Sequence, residues 1–576
     1  LARKNGWSVP QTSLQRKSNK MAQKTRLTGG EAVVQSLVDH GVDTVFGIPG
    51  AHNLSVYEAL RADGRIRHIL CRHEQGAAFM ADGYARASGK VGVCLSTSGP
   101  AFLNVSTPLG TAYCDSSPVL CVASQIPSEA IGKEKGYIHE CRDQLGCVRP
   151  VTRWCARADT VEEIPGAMHE AFAQMLTGRP RPAAIEIPCD VLDGSADTSF
   201  PQAFIPERLQ PDSAAITRAT AALRAAQRPV IWAGNGVISS NAVTELRQLA
   251  EQLGAPVFST VLGKGVFPED HPLSAGSALV HPLAQNYLKR CDALLAVGTR
   301  FTQEEACDWK LTIPEVLIHI EVDAEEIGRN LAPTIPVLSD AREALRALHH
   351  ELASDASDPD LTRSAEVSEL RENIIADCRS LAPDGMQLVE SLQAGLPREA
   401  VIVNDLCIGA YWCRRLLDCY EPRNYVYPWG FCTLGFGLPA GIGAKLARPD
   451  RPVVVLSGDG GFLFNCQELA AAVQFNIPLV VVIFNNDSYG VLKPQQTERY
   501  GHAHEVDLVN PDFVALAQSF GAAGSRVTSW NELTTALGQA IQSEHPTVID
   551  VPLHVPLPIM EPGPRALFES QHGATA

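Results

Sequence analysis

Two short polar loops in the last third of the chain carry residues that can bind a metal ion. Asp459 lies between glycines in the segment 457–461, directly after the apolar run 453–456. Asn486 lies 27 residues further on, directly after a second apolar run, 479–484. Carboxylate and amide oxygens are the ligands that hard divalent cations prefer in proteins. The two loops therefore indicate a site for such a cation.

The segment between the loops predicts that they meet in space. Strand, helix and strand form a βαβ unit, and its crossover returns both loops to the carboxyl edge of one parallel sheet, where ligands bind in open α/β folds. We expect Asn465 to cap the helix, with Glu468 in capping-box spacing. Asp459 and Asn486 should then lie side by side.

The glycines of the first loop add a second ligand to this interpretation. Gly458, Gly460 and Gly461 allow backbone N–H groups to approach an anion closely, and the helix start favours negative charge. Mg²⁺ usually completes its coordination shell with phosphate oxygens and water. We expect an oxygen at Ser488, shortly after Asn486, to be a further ligand. An isolated Gly-Asp-Gly is more often a simple turn, but the paired loop favours a metal-bridged diphosphate.

Composition limits the classes of function. The chain of 576 residues has 64 acidic and 48 basic residues, a net charge of −16, which argues against broad binding to nucleic acid or anionic lipid. No apolar run approaches the length of a membrane span. The 16 cysteines include no CxxC pair, and without a secretory signal they are expected to be reduced thiols. We expect a cytoplasmic protein that binds neither nucleic acid nor membrane.

The alternation of strands and helices predicts an α/β protein with three doubly wound parallel-sheet domains. Stretches rich in Pro, Ser and Asp separate the domains. We predict a tag, leader or disordered segment at 1–24, a first domain at 25–190, a central domain at 206–350, a linker at 351–367, a third domain at 368–560 and a C-terminal tail at 561–576.

Several stretches carry a family resemblance. The Gly458-Asp459-Gly460 loop, together with the spacing from Asp459 to Asn486 in the second loop, is similar to the motif of thiamine diphosphate (ThDP) enzymes. Residues 72–86, RHEQGAAFMADGYAR, resemble acetolactate (acetohydroxyacid) synthases, as do the segments 46–50, 97–100 with Asn104, 267–272 and 433–440. The chain is identified as a member of the ThDP-dependent 2-oxo acid decarboxylase/carboligase family, closest to the acetolactate synthase large subunit. The first domain then resembles the family's pyrimidine-binding (PYR) domain and the third its diphosphate-binding (PP) domain.

The resemblance implies roles for residues of both outer domains. Glu74 is implied as the acid that activates the cofactor through a hydrogen bond to N1′ of its aminopyrimidine ring. Gln125 is implied as a second catalytic residue, and Asp459, Asn486 and Ser488 as the Mg²⁺ ligands. The implied cofactor-binding residues are Pro49, Gly50, Asn104, Leu434, Gly458, Gly460, Gly461, Tyr489 and Gly490.

Three of these residues also have ordinary structural explanations when each is taken alone. Glu74 is a first-turn acid that suits a helix dipole. Leu434 fits core packing. Gln125 fits a solvated position at the end of a strand.

The resemblance also implies an assembly and a reaction. In this family the PYR and PP domains of different subunits form each active site, which predicts a homodimer or a dimer of dimers. The implied reaction is decarboxylation of a 2-oxo acid, pyruvate by default, with ligation to a second carbonyl compound. The alternative is a non-oxidative decarboxylase resembling benzoylformate decarboxylase, or a C–C lyase on a bulkier 2-oxo or 2-hydroxyacyl substrate. The sequence identifies no regulatory subunit.

The chain departs from both relatives near the substrate. Val491 and Gln495 stand where acetolactate synthases have Met and Trp, and this leaves the acceptor substrate open. Thr97 stands where benzoylformate decarboxylase has a catalytic His. Neither subfamily's full set of residues is therefore present.

The sequence leaves FAD undecided. Segment 234–236, Gly298 and Arg300 resemble FAD-contacting segments of acetolactate synthases, whereas 280–282 and 301–304 differ from them. FAD is structural in those enzymes, so its loss would not abolish the chemistry.

Overall fold

The computed structural model describes residues 25–353 and 362–558, which form three consecutive α/β domains. Each domain is built on a six-stranded parallel sheet, which confirms the predicted fold class. The predicted leader at 1–24 and tail at 561–576 lie outside the described residues. No helix in the described part of the chain has the length and apolar character needed to cross a membrane. All sixteen cysteines are unpaired.

The first domain alternates short strands and helices. Its elements are β1 (Thr25–Thr28), α1 (Gly29–Asp39), β2 (Thr44–Gly47), α2 (Leu54–Asp63), β3 (Arg67–Leu70), α3 (Glu74–Ser88), β4 (Gly92–Ser96), α4 (Pro100–Asn104), α5 (Ser106–Asp115), β5 (Val119–Gln125), α6 (Gln144–Val148), β6 (Trp154–Arg157), α7 (Ile164–Leu176), β7 (Ala183–Pro188), α8 (Cys189–Asp193) and β8 (Ser195–Thr198).

The main sheet of this domain has the order β3-β2-β4-β5-β7-β6. Strands β1 and β8 pair antiparallel beside it, with Thr25 opposite Thr198. The segment after residue 190 was predicted to leave the domain as a linker. Because β8 returns to pair with β1, the first domain extends to Thr198.

The central domain has the sheet order β11-β10-β9-β12-β13-β14. Its apolar strands are buried by helices on both faces, as in other parallel sheets. The elements are α9 (Ser213–Ala225), β9 (Pro229–Ala233), α10 (Asn235–Ser239), α11 (Val243–Leu253), β10 (Val257–Ser259), β11 (Ser274–Gly276), α12 (Pro282–Leu288), β12 (Ala293–Val297), β13 (Val316–Glu321), β14 (Ile335–Leu338) and α13 (Ala341–Leu352).

The third domain has the sheet order β16-β15-β17-β18-β20-β19. Its elements are α14 (Thr362–Leu381), α15 (Pro383–Gly395), β15 (Val401–Asn404), α16 (Ile408–Leu416), β16 (Tyr425–Val426), α17 (Gly437–Ala447), β17 (Val453–Gly458), α18 (Asp459–Asn465), α19 (Leu469–Gln474), β18 (Val480–Phe484), α20 (Leu492–Tyr500), α21 (Phe513–Phe520), β19 (Ala523–Arg526), α22 (Trp530–Ile541) and β20 (Thr547–Val551). Helix α14 begins inside the range 351–367 that was predicted as a linker.

The first and third domains meet through helices α3 and α17. A Cβ atom added at Gly83 would lie 2.1 Å from the carbonyl oxygen of Ala440, and one at Gly443 would lie 1.9 Å from that of Met80. Neither position has room for a methyl group, so the two backbones pack at the closest distance that glycine allows. This contact fixes the two outer domains of one chain against each other.

A carboxylate of the third domain strengthens the same contact. Glu468 is fully buried, and its oxygens accept hydrogen bonds from the backbone N–H groups of Arg72, at 3.1 Å, and His73, at 2.9 Å. These groups immediately precede α3, so the acid lies at the positive end of that helix. Burial raises the pKa of Glu468 to about 7, although the backbone hydrogen bonds act in the opposite direction.

Candidate active site

Asp459 is the centre of the predicted metal site, and backbone and side-chain N–H groups hold its carboxylate. Oδ2 accepts hydrogen bonds from the backbone N–H groups of Asn486 and Ser488, both at 3.3 Å. Oδ1 accepts a hydrogen bond from the backbone N–H of Gly460 at 2.8 Å. The side chain is buried, with 3% of its residue surface exposed. The predicted meeting of the two loops at the sheet edge therefore occurs.

Asn510, which sequence reasoning missed, completes this arrangement. Its Nδ2 donates to Oδ2 of Asp459 at 2.8 Å, and also lies 3.1 Å from Asn485 Oδ1 and from Asp487 Oδ1. It follows the segment whose backbone pairs with the metal loop at Ser488. No local signal marks Asn510, because it reaches the site from 51 residues along the chain.

The helix after Asp459 begins differently from the prediction. Helix α18 starts at Asp459 itself, immediately after β17, and Asn465 is its last residue. The Asn465 amide instead donates to the carbonyl oxygen of Gly435 at 2.7 Å. The expected capping box is therefore wrong, since Glu468 binds the backbone of the first domain.

Leu434 lies in a turn that hydrogen bonds from buried polar groups hold against α18, the helix that begins at Asp459. Asp405 accepts hydrogen bonds from the backbone N–H groups of Gly435 and Gly437, at 3.1 and 3.0 Å. Burial raises the pKa of Asp405 to about 6. Together with Asn465, this carboxyl group fixes the turn from both sides and so sets the position of the Leu434 side chain.

A cavity of 230 Å³ opens beside these groups. Its wall is mostly apolar, with side chains such as Ile408, Phe484 and Val491, and Asp459 lies among its polar residues. All the cofactor-binding and metal residues predicted in the third domain line it, namely Leu434, Gly458, Asp459, Gly460, Gly461, Asn486, Ser488, Tyr489 and Gly490. Glu74 does not line this cavity.

The donor set of the cavity fits Mg²⁺ with a diphosphate. Oδ1 of Asp459 carries one hydrogen bond and retains a lone pair, and Asn486 adds an amide oxygen 3.2 Å from the hydroxyl of Ser488. A Cβ atom at Gly490 would lie 2.4 Å from the Asn486 amide nitrogen, so glycine keeps this amide in place. The described residues contain no metal-binding cluster of three His, Cys, Asp or Glu side chains. The expected Mg²⁺ site does not need such a cluster, because phosphate oxygens would complete the coordination shell of the metal.

Glu74 lies on the first domain, as the first residue of α3. Its carboxylate Oε2 accepts a hydrogen bond from Nδ2 of Asn104 at 2.8 Å, and the side chain is half-buried. Two residues to which the resemblance assigns roles are thus in contact. Because β3 and β4 both end at this edge of the sheet, the edge presents a carboxyl group that is oriented and still accessible.

The remaining predicted residues of the first domain range from buried to exposed. Gln125, at the end of β5, is 2% exposed, and its Nε2 donates to Glu186 Oε2 at 3.1 Å. This explains the residue as a buried structural amide, and its catalytic role stays a prediction. Pro49 is exposed at the edge, and the Gly50 N–H donates to Asn53 Oδ1 at 2.7 Å.

Comparison with known families agrees with this arrangement. The profile for the N-terminal TPP binding domain of thiamine pyrophosphate enzymes matches residues 27–147, the central-domain profile matches 216–348, and the profile for the C-terminal TPP binding domain matches 407–551. The chain belongs to the thiamine pyrophosphate enzyme family. The matched ranges cover the Glu74–Asn104 edge and the Asp459 cavity. The protein is therefore a ThDP-dependent enzyme.

Relatives of this ThDP enzyme carry different substrate names. A "Probable acetolactate synthase large subunit" of Methanocaldococcus jannaschii is 39% identical over 565 residues, which is 94% of each chain. A "Probable 2-ketoarginine decarboxylase AruI" of Pseudomonas aeruginosa is 39% identical over 92% of this chain and 94% of its own. "Acetolactate synthase isozyme 3 large subunit" of Escherichia coli is 33% identical over 90% of this chain and 92% of its own.

A second and larger cavity of this enzyme, of 740 Å³, lies where all three domains meet. It opens at the carboxyl edge of the central sheet, beside Gly236, Gly298 and Arg300. Glu321, at the end of β13, contributes a carboxyl group whose pKa burial raises to about 7. An arginine and a strand-end acid in such a crevice suit the phosphates and ribose of a dinucleotide.

The Asp459 geometry predicts the order of effects on cofactor binding. Asp459→Asn should weaken Mg²⁺-dependent ThDP binding by more than about 100-fold, because even indirect partners of a metal site contribute about 10- to 100-fold. Asn510→Ala should weaken it by about 10-fold, because the carboxylate loses its shortest side-chain donor. Binding is measured by quenching of tryptophan fluorescence. Asp450→Asn, an exposed acid of the same domain, is the matched control; equal loss in all three variants would contradict the assignment.

Proposed function

We propose that the protein uses ThDP and Mg²⁺ to decarboxylate a 2-oxo acid, with pyruvate as the default donor, and ligates the remaining unit to a second carbonyl compound, as acetolactate synthases do. The observation that supports this most is the pairing of two half-sites in one chain. One is the Asp459 cavity with its diphosphate-type donor set. The other is Glu74, held by Asn104.

The chain's own residues bind, orient and exclude water. Asp459, Asn486 and Ser488 would hold the metal ion beside the diphosphate, and Leu434 would support the rings of the cofactor. When bound, ThDP supplies a carbon nucleophile and an electron sink for the loss of CO₂. Glu74 holds a proton at N1′ of the aminopyrimidine. The apolar wall of the cavity keeps water from the reacting carbon.

The acetolactate-type outcome has one competitor. The departures at Val491 and Gln495, together with a relative named a probable 2-ketoarginine decarboxylase, favour a second candidate, a decarboxylase of a bulkier 2-oxo acid that releases an aldehyde. Val491 lines the cavity, so the change lies where substrate and cofactor would meet. Both candidates share the decarboxylation step and differ in the product that is released after it.

We further propose a homodimer, or a dimer of dimers, whose active sites lie between subunits. Within one chain Glu74 does not line the Asp459 cavity, so the two half-sites do not share a cavity there. Both outer domains expose large apolar side chains that a subunit interface would remove from water. On the first domain these are Leu54, Leu103 and Ile138, and on the third Phe464, Leu492 and Val509.

For the central cavity we propose FAD as the ligand. Its volume of 740 Å³ accommodates a dinucleotide, and its position at the strand ends supports this assignment. Arg300 would meet the diphosphate and Glu321 the ribose.

Labelled substrates test the reaction. With ThDP and Mg²⁺, the purified protein should convert ¹³C-pyruvate to CO₂ and acetolactate, as followed by NMR. A panel of 2-oxo acids with cationic, aromatic and aliphatic side chains, with detection of aldehydes, tests the second candidate. Release of CO₂ from none of them by cofactor-loaded protein would refute the proposed function.

Mixing two inactive variants tests the shared active site. Glu74→Gln should reduce turnover by orders of magnitude and leave Mg²⁺-ThDP binding intact, and Asp459→Asn should weaken that binding strongly, as predicted above. If each site takes Glu74 from one subunit and Asp459 from the other, every mixed dimer regains one intact site. After unfolding and refolding together, the mixture should recover about a quarter of wild-type activity. No recovery despite formation of mixed dimers would place both residues in one subunit's site.

Mass spectrometry of released small molecules tests the cofactors. Protein purified without added cofactor and then denatured should release FAD at about one molecule per chain. Arg300→Ala should lower this content, because the cavity loses a cation. Wild-type protein that releases no FAD, and binds none when it is added, would refute this proposal.

A further inference from the structure

Two histidines and a serine form a polar cluster that the site described above does not use. His52 follows β2, Ser98 follows β4 and His139 follows β5, so all three lie beyond the carboxyl ends of neighbouring strands. Glu74 follows β3, the strand on the other side of β2. The loops that carry the cluster and the start of the helix with Glu74 therefore follow adjacent strands at the same edge of the sheet.

Ser98 holds the His52 ring in a defined orientation. The serine is fully buried, and its hydroxyl lies 2.5 Å from Nδ1 of His52. Nδ1 is the only hydrogen-bond partner of that hydroxyl within residues 25–353 and 362–558. We assign the hydroxyl as the donor, because the opposite direction would leave a buried O–H unpaired. A neutral imidazole whose Nδ1 accepts a hydrogen bond carries its proton on Nε2. His52 therefore presents an N–H donor on the side of the ring away from the serine.

His139 lies beside this ring. The two imidazole centroids are 5.6 Å apart, with the planes at 80°. Burial lowers the pKa of His52 below its usual 6.5, and the neighbouring His139 lowers it further. His52 is accordingly neutral near pH 7.

His139 itself is held in an uncommon conformation. Its φ is +66°, in the left-handed region, and its carbonyl oxygen would lie 2.4 Å from a Cβ atom at Gly99. Its buried Nδ1 has no hydrogen-bond partner in the described part of the chain. Strained residues and unpaired buried polar atoms concentrate at functional sites.

Neighbouring elements link the cluster with Glu74. Ser98 and Gly99 lead directly into α4, whose last residue, Asn104, donates to the Glu74 carboxylate. Helix α2, which begins two residues after His52, carries Tyr57, whose phenol pKa is raised mainly by burial and slightly by the Glu74 charge. The helix that follows Ser98 thus contacts the activating acid, and the helix that follows His52 lies within its electrostatic influence.

We propose that His52 donates its Nε2–H hydrogen bond to the carbonyl oxygen of the bound 2-oxo acid, with His139 as a positioning residue. This deepens the proposed function and rests on its substrate class. Negative charge develops on that oxygen when the carbonyl carbon is attacked, and an oriented neutral imidazole stabilises it without a change in protonation.

A purely structural role for His52 explains less. Within the described part of the chain its Nε2 has no hydrogen-bond partner, and the residue is partly exposed at the edge. The side chain also does not cap α2, where Asn53 occupies the cap position. The serine–histidine pair therefore orients a partly exposed Nε2 that no group in the described part of the chain engages.

The test compares ligands that differ only in the carbonyl oxygen. Protein loaded with Mg²⁺ and deazathiamine diphosphate, an inert isostere of the cofactor, is titrated calorimetrically with pyruvate and with propionate. If pyruvate does not bind, the panel of 2-oxo acids is used with matched simple acids. His52→Ala should weaken binding of the 2-oxo acid by about 10-fold and change binding of the simple acid by less than twofold. His52→Gln, which keeps an N–H donor, should fall between wild type and His52→Ala.

The controls separate this inference from the proposed function. His350→Gln, an exposed histidine at the end of α13, should match wild type. Equal weakening of both acids by His52→Ala, loss of isostere binding, or no wild-type preference for the 2-oxo acids would each overturn the inference. The proposed function is judged separately by CO₂ release from wild-type enzyme, which this binding assay does not require. In active enzyme, His52→Ala should lower kcat by about 100-fold, the usual effect of removing one such donor.

Discussion

The contact between α3 and α17 is the constraint on which the rest of the structure depends. Because Gly83 and Gly443 bring the two backbones together, the first and third domains of a chain form one unit. Helix α3 begins at Glu74, and α17 follows the turn of Leu434. The same contact that joins the domains therefore fixes the start of the helix with the activating acid and the turn beside the cofactor cavity.

Buried carboxyl groups hold the loops around these two helices in place. Asp405, Asp459 and Glu468 all accept backbone N–H groups from segments far away in sequence, and each fastens a loop without regular secondary structure. Burial raises the pKa of Asp405 and of Glu468, so these groups bind protons more readily than exposed acids do. The loops at the sheet edges are thus held by hydrogen bonds to acids, while the apolar strands form the core.

The sequence allowed the fold and the centre of the site to be predicted, because both depend on local patterns. Apolar β-branched runs such as β17 and β18 mark buried parallel strands, and the loops after them carried Asp459 and Asn486. Short edge strands such as β16 have too few residues to show a pattern. Asn510 and Asp405 were missed because their partners lie far along the chain. The Asn465 cap failed because the helix starts directly from the strand, with no intervening cap residue.

The glycine contact between α3 and α17 also restricts how the enzyme can move. Two helices packed backbone to backbone cannot rotate apart without losing contacts over several turns, so the outer domains of one chain cannot open as a hinge. Substrate entry and product release must then depend on rearrangement of surface loops, such as those around His139 and Asn510, or on shifts between subunits. Turnover would be limited by these local motions and not by domain opening.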